Sequence, residues 1–272
     1  MILNCGLAAL GVRLMHIRLS AVLQLFDGYR RRPIRAPEAS FLVGRNPIRP
    51  IYKQNGYFVF PNLQPGPVRI DILSPLFLPE IVELDVPEEA GQYSVIYRVL
   101  SPGRAYPFGG APTALRGRLI KDGVPAALEK VLFYVLEGRE LLKVAQDDLK
   151  AGDKEIKLFS SQQTRRLPLP GKFLIADKDE KRKETCFITG THTDGNIYPL
   201  EQGLTYPHAR ATPLIELIEF HTAADGSFFI AVPERYDSVR QAELEAPSAG
   251  KTWSVAIVHG KETDIGELRV EN

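Results

Sequence analysis

Cysteine is scarce in this chain. Only Cys5 and Cys186 occur among 272 residues, too few for a disulfide framework, so the fold must rest on its cores and a reducing compartment is the simpler expectation. A surplus of one charge is also missing. With 34 basic against 33 acidic side chains the net charge is +1, and no general attraction to nucleic acid or acidic membrane follows from the totals. No apolar run approaches the ~20 residues of a membrane-spanning helix. The most apolar stretch, Ile2 to Leu14, has no preceding Lys or Arg, is interrupted by Arg13 with His16 and Arg18 close behind, and leads to no small-x-small cleavage site. Residues 1–14 are therefore read as a non-native or disordered lead-in with Met15 as a candidate start, and the protein as cytoplasmic or particle-associated, without a membrane anchor.

Catalytic signatures are absent as well. There is no Gly-x-Ser-x-Gly elbow, no His-Glu-x-x-His pair and no Gly-rich phosphate loop opening a helix. Cys186 lies in an apolar run, Thr185 to Ile188, which suits a buried small hydrophobe better than a nucleophile.

What is present reads as β structure. Hydrophobic residues make up 44% and charged residues 25%, ordinary globular values, while 22 glycines and 21 prolines spread along the whole chain leave little room for long helices. Apolar residues alternate from His16 to Leu25, predicting a half-buried strand. Further strands are predicted at Ala39 to Val43, Gly56 to Phe60, Val68 to Leu73, Ile81 to Val86 and Tyr93 to Leu100, each bounded by Pro, Gly or Asn. That spacing suits a sandwich over residues 15–100. Residues 101–112, rich in Gly and Pro, read as a linker without periodicity.

The pattern then restarts in a second unit over 113–272. Leu115 to Lys121 is a strand, Asp122-Gly123 repeats the Asp27-Gly28 turn, Val131 to Leu136 answers Ser40 to Val43, and Asp225-Gly226-Ser227-Phe228 answers Asn55-Gly56-Tyr57-Phe58. These matches suggest an internal duplication. A large insertion, at about 138–221, separates the shared elements of the second copy. It contains predicted strands at Glu155 to Phe159, Lys172 to Ala176, Thr185 to Thr189 and Leu214 to Phe220.

The phrase Asn55-Gly56-Tyr57-Phe58-Val59-Phe60-Pro61-Asn62-Leu63-Gln64-Pro65-Gly66-Pro67-Val68-Arg69-Ile70 resembles the carboxypeptidase regulatory-like, or transthyretin-like, β-sandwich family. There an (Asp/Asn)-Gly-x-(Phe/Tyr) turn and strand precedes a Leu-x-Pro-Gly turn and another strand. The resemblance covers residues 16–100 and extends to the second unit only through Asp225-Gly226-Ser227-Phe228. It implies an all-β fold of two tandem transthyretin-like Greek-key sandwiches, the second with a large β-rich insertion. It also implies an accessory or assembly role rather than a reaction. Related hydroxyisourate hydrolases end in Tyr-Arg-Gly-Ser, whereas this chain ends Leu268-Arg269-Val270-Glu271-Asn272, and the metallocarboxypeptidase signature is missing.

Two constellations are candidates for contact with another molecule. Residues 18–53 hold eight basic and two acidic side chains, and 71–89 six acidic and none basic. Arg30, Arg31, Arg32, Arg35, Arg45 and Arg49 are the expected partner-binding residues, joined by Lys53, set against the alternative that these loop arginines pair with nearby acids. The second constellation is a set of metal-type donors, His192, Asp194, Tyr198, Tyr206, His208 and His221. Intradiol dioxygenases are similar sandwiches that bind iron through two tyrosines and two histidines. They carry a His-x-His pair, which His208 and His221 do not make, so the favoured reading is loop anchors with no metal and no cofactor. The Lys178-to-Lys183 charge run reads as a solvated turn that discourages edge pairing.

The expected function is a non-catalytic structural or protein-interaction component, in the manner of parts of phage-like or contractile injection assemblies. It would engage a protein partner, no nucleic acid and no membrane, with a homo-oligomer open. Alternatives are a surface adhesin or carbohydrate-binding module and an iron dioxygenase-like enzyme.

Overall fold

The structure, a computed structural model, describes residues 18–88, 95–134, 142–159, 169–177, 180–190, 196–233 and 241–271. Cys5, Met15, His192 and Asp194, together with the outer ends of the predicted strands at 16–17, 93–94 and 135–136, lie outside the described residues. Among the described residues there is no α-helix; strands and single 3-10 turns, as at Ala36–Glu38 and Pro247–Ala249, carry the fold.

Eight strands make the first unit: β1 (Leu19–Asp27), β2 (Ser40–Val43), β3 (Asn46–Ile48), β4 (Ile51–Lys53), β5 (Tyr57–Pro61), β6 (Gly66–Leu73), β7 (Glu80–Val86) and β8 (Val95–Leu100). They form two four-stranded sheets, in the orders β4-β5-β1-β8 and β3-β2-β6-β7. Alternation decides which side chains fill the space between them. Ala21, Leu23 and Leu25 of β1, Phe58 and Phe60 of β5, and Ile70 and Ile72 of β6 are all buried at period two. Each fully buried Phe or Leu contributes about 2–3 kcal/mol of transfer free energy.

The turn into β5 has a steric reason. Asn55 and Gly56 both take positive φ, 62° and 77°, and the Gly56 carbonyl accepts the Leu25 N–H at 3.0 Å. A Cβ on Gly56 would stand 2.6 Å from the Leu25 carbonyl oxygen, so only glycine lets the two backbones approach.

The remaining strands are β9 (Ala114–Lys121), β10 (Val124–Pro125), β11 (Lys130–Tyr134), β12 (Leu142–Val144), β13 (Glu155–Phe159), β14 (Gly171–Ile175), β15 (Glu184–Ile188), β16 (Ile197–Pro199), β17 (Pro213–His221), β18 (Ser227–Ala231), β19 (Gln241–Ala246), β20 (Lys251–Ala256) and β21 (Glu262–Val270). β9 pairs antiparallel with β18 and parallel with β21, as β1 pairs antiparallel with β5 and parallel with β8. Opposite it, β11-β19-β20 follow one another as β2-β6-β7 do. The close approach recurs too. Gly226 (φ 76°) accepts the Leu119 N–H at 2.9 Å, and a Cβ there would come 2.5 Å from the Leu119 oxygen.

One sequence match shifts by a residue. Gly28 N–H donates to the Leu100 carbonyl at 2.9 Å, and its counterpart is Asp122 N–H donating to Val270 at 3.1 Å. Asp122, not Gly123, therefore occupies the place of Gly28, because pairing with the last strand sets the register.

The insertion has its own core, which includes Val144, Ile156, Leu158, Phe173, Ile175, Cys186 and Ile188. β17 belongs to both bodies. Its first half pairs with β12 and β14 and buries Leu214 in the insertion, while its second half pairs with β11 and buries Phe220 in the second sandwich. The insertion therefore ends inside β17 rather than after it.

The segment expected to be a featureless linker is packed. Tyr106 is buried and donates its hydroxyl to Asp27 Oδ2 at 2.8 Å. Phe108 sits edge-on to Tyr29 at 5.1 Å and lies 6.4 Å from Phe229 of β18. Aromatic area, which no periodicity test registers, joins the two sandwiches here.

Candidate functional site

A cleft of about 590 Å³ opens where the first sandwich, the second sandwich and the insertion meet, and its walls carry Arg31, Glu80, Arg98, Lys172, Glu219 and His221 among others. The loop after β1 supplies Arg31. It is positioned by Asp27, whose buried carboxylate accepts the N–H groups of Tyr29 and Arg30, both at 2.9 Å, and the Tyr106 hydroxyl. The turn leaves Arg31 at φ 54°, and its guanidinium pairs with Glu216 and donates to the Pro170 carbonyl at 3.2 Å. First sandwich and insertion are tied at this point.

β8 supplies the next contacts. Tyr97 N–H donates to Glu201 Oε1 at 2.8 Å, its ring stacks on Phe187 at 6.2 Å, and Arg98 lies 3.4 Å from the same Glu201 carboxylate. A sheet-edge N–H is thereby capped by a side chain. β17 supplies Glu219, which register places diagonal to Lys130 of β11 and Lys172 of β14, within reach of both long side chains. Lys172 pairs with it directly and Lys130 Nζ lies at 3.7 Å. Burial works against the Glu219 charge, but the two lysines hold its carboxyl below the ordinary range.

Glu80, at the start of β7, is the exception. Its nearest ion partner is Arg98 Nε at 3.9 Å, too long for a hydrogen bond. Burial, reinforced by the neighbouring Glu219, pushes its carboxyl up to about 7 against the pull of Arg98, Lys172 and Lys130. His221, at the end of β17, is held below its usual value by burial, and its buried Nδ1 has no hydrogen-bond partner.

The six expected partner-binding arginines do not share one setting. Arg31 faces the cleft. Arg32 pairs bidentately with Glu38 and lies 3.5 Å from Asp27, while Arg30 lies over the Tyr106 ring at 5.2 Å and donates to the Pro107 carbonyl. Arg35 offers its backbone N–H to Glu38, and Arg45, at φ 73° in the β2–β3 turn, and Arg49 are exposed. Glu216 answers Arg31, and Glu38 and Asp27 answer Arg32; none of these acids comes from the acidic stretch 71–89.

The metal-type donors are likewise dispersed. Tyr198 is buried in the insertion core and Tyr206 is exposed. His208 is buried with Nδ1 3.1 Å from Asp177 and Nε2 2.8 Å from Glu184, whereas His221 lies across β17, a nine-residue strand roughly 26 Å long. Glu184 also accepts the Thr205 and Tyr206 N–H groups, and these bonds hold it below the ordinary range despite burial. Among the described residues no group of three or more His, Cys, Asp or Glu could hold a metal ion. Cys186 is buried, as its apolar run suggested, and burial pushes its thiol up to about 12.

Sequence reasoning missed Glu80, Arg98, Lys172, Glu201 and Glu219. A signal existed at Glu216 and Glu219, two acids interrupting the apolar run of β17. A charge inside a strand flanked on both sides demands a partner.

No protein-family model and no curated protein matches this chain. Among solved structures it is similar to the TIE protein of Bacillus anthracis at 12% identity and a TM-score of 0.24, covering 93% of this chain and 51% of that one. The chain thus spans about half the length of that protein. It is similar also to the major pilin subunit of Bacillus cereus at 8% identity and a TM-score of 0.24, covering 93% of this chain and 99% of that one.

Proposed function

We propose that the protein is a non-catalytic structural or protein-interaction component built from two copies of one transthyretin-like Greek-key module. It engages a protein partner, in the manner of parts of phage-like or contractile injection assemblies. One observation carries the reading: most charged groups of the central cleft, Glu80 apart, are engaged with each other. Arg31 with Glu216, Arg98 with Glu201 and Lys172 with Glu219 join three separate cores into one body. Such a body sets the spacing and orientation of its outer loops and strand edges, which is what an assembly part needs.

Two measurements test this. Assembled particles from the native cell, sedimented and probed with an antibody to this chain, should carry it at fixed stoichiometry; a chain recovered only as free monomer argues against the role. Elemental analysis addresses the enzymatic competitor. Stoichiometric iron or zinc in the purified protein, lost on replacing Tyr206 or His208, would overturn the reading.

A further inference from the structure

The last strand of a sheet offers a row of unpaired N–H and C=O groups, a template on which another strand can form. Most such edges in this molecule are blunted. β3 holds Pro47, β16 is three residues long and ends in Pro199, and β4 is three residues long and ends in Lys53. β7 carries Glu80, Glu83 and Asp85, the Tyr97 N–H of β8 is taken by Glu201, and β18 is buried from Phe228 onward. β21 carries Glu262, Asp264 and Glu267, and a bulge at Gly266, φ 72°, breaks its register with β9.

β20 is built differently. It ends the nine-stranded sheet, and among the described residues no strand pairs with its far side. Its register with β19 is unbroken over six residues. After Lys251 it has neither charge nor proline, and Thr252, Ser254 and Ala256 are exposed. On the other face Val255 is buried and Trp253 is half-buried against the core of the second sandwich. Val258, 43% exposed, adds apolar surface just past the strand.

This edge is complementary to itself. Directly opposed residues of an antiparallel pair share a face, so a two-fold axis at Ser254 sets Ser254 against its own copy and Thr252 against Ala256. On the inner face it sets Trp253 against Val255 twice, a favourable aromatic and β-branched pairing. A shift of two residues would instead bring Lys251 against Val255. Glu243 and Glu245 of β19 stand opposite Ser254 and Thr252 within one copy. Across the axis the glutamates of the two copies are three strand spacings apart, roughly 14 Å, beyond the ~8–10 Å range of screened charge.

We propose that β20 is a self-pairing edge: two copies of this protein associate by antiparallel pairing of residues 252–256 about an axis at Ser254, joining their large sheets into one. A two-fold contact of this kind closes on itself, so it yields a dimer and not a filament. A five-residue strand pair buries less than the ~800 Å² per partner of a standard interface. Association is therefore reversible and depends on concentration.

Sedimentation velocity and front-face tryptophan emission of the full chain, from about 1 μM to about 1 mM, test this. Monomer should pass to dimer. The emission of Trp253, the single tryptophan in the chain, should move to shorter wavelength with the same midpoint. A chain that stays monomeric, one that grows past a dimer, or a dimer without the emission shift would overturn the proposal. Ser254→Glu adds a carboxylate beside Glu243 on both copies and should weaken the dimer about tenfold or more; an unchanged dissociation constant would place the contact elsewhere. When dilute, its emission should match that of the native chain, which checks its fold. Mixed with Ser254→Lys it should associate more tightly than either variant alone, because the two positions face each other, and no gain on mixing overturns the pairing at Ser254. The dilution series needs no variant and remains decisive if Ser254→Glu does not fold.

Discussion

The two sandwiches follow the same strand pairing with different side chains inside. Leu23 of the first stands opposite Phe58, and the residue opposite Phe228 in the second is Gly117. The space is filled from the neighbours: a Cβ at Gly117 would meet the Phe228 ring at 2.8 Å and Ile265 at 2.9 Å. Ile34 donates its N–H to the Leu25 carbonyl at 2.9 Å, and the residue doing the same to Leu119 is Ala126, also at 2.9 Å. Core volume is therefore redistributed freely between the units, as cores allow when total packing is kept. What does not change is the backbone approach at Gly56 and Gly226. Asp27 has no counterpart either, since Lys121 takes its place in the pairing, and among the described residues the matching turn of the second sandwich has no buried carboxylate.

That comparison can be broken most forcefully in the aromatic core. Phe58→Ala should cost about 3–5 kcal/mol in urea unfolding, with amide protection lost in β1 and β5 before β9 and β21; equal loss in both sandwiches would mean that they do not have separate cores. Gly56→Ala and Gly226→Ala should each cost about 2–3 kcal/mol, through positive φ combined with a collision against a carbonyl oxygen. Should one of them be neutral, the two turns are not equivalent. Asp27→Asn, which keeps the size but removes the charge, should cost about 2 kcal/mol, whereas Lys121→Gln at the matching position should stay within ~0.5 kcal/mol. Smallest is Gly44→Ala. There φ is 55° with open space around the site, so a loss of about 1 kcal/mol, measured thermally, isolates conformational strain from collision.

Legibility in the sequence followed physical range. Strands with clean alternation between Gly or Pro boundaries, such as β1, β5, β6, β7 and β9, were recoverable because the signal lies within the strand itself. β3, β4, β10 and β12 are two or three residues long, too short for a period to be read. Gln241–Ala246 does alternate, with Ala242, Leu244 and Ala246 buried, but its glutamates and alanines carry little β-propensity. The buried fate of Cys186 was readable from its apolar neighbours. The cleft was not, because its charges come from separate segments and Glu80, Arg98 and Glu201 each look like an ordinary surface charge, while the acids inside β17 signal that a partner is needed without saying which.

By itself the sequence determined that the chain is all-β, where most of its longer strands run, and that two glycine-containing turns of one kind recur; these depend on φ preferences and side-chain period, which act between neighbours. The tertiary structure alone decided that β17 serves two cores, that the Gly/Pro-rich connection is an aromatic seam, and that one glutamate is buried beside another across the junction. Burial and charge partnership arise only when distant segments meet, and no local pattern encodes the dielectric a side chain will finally face.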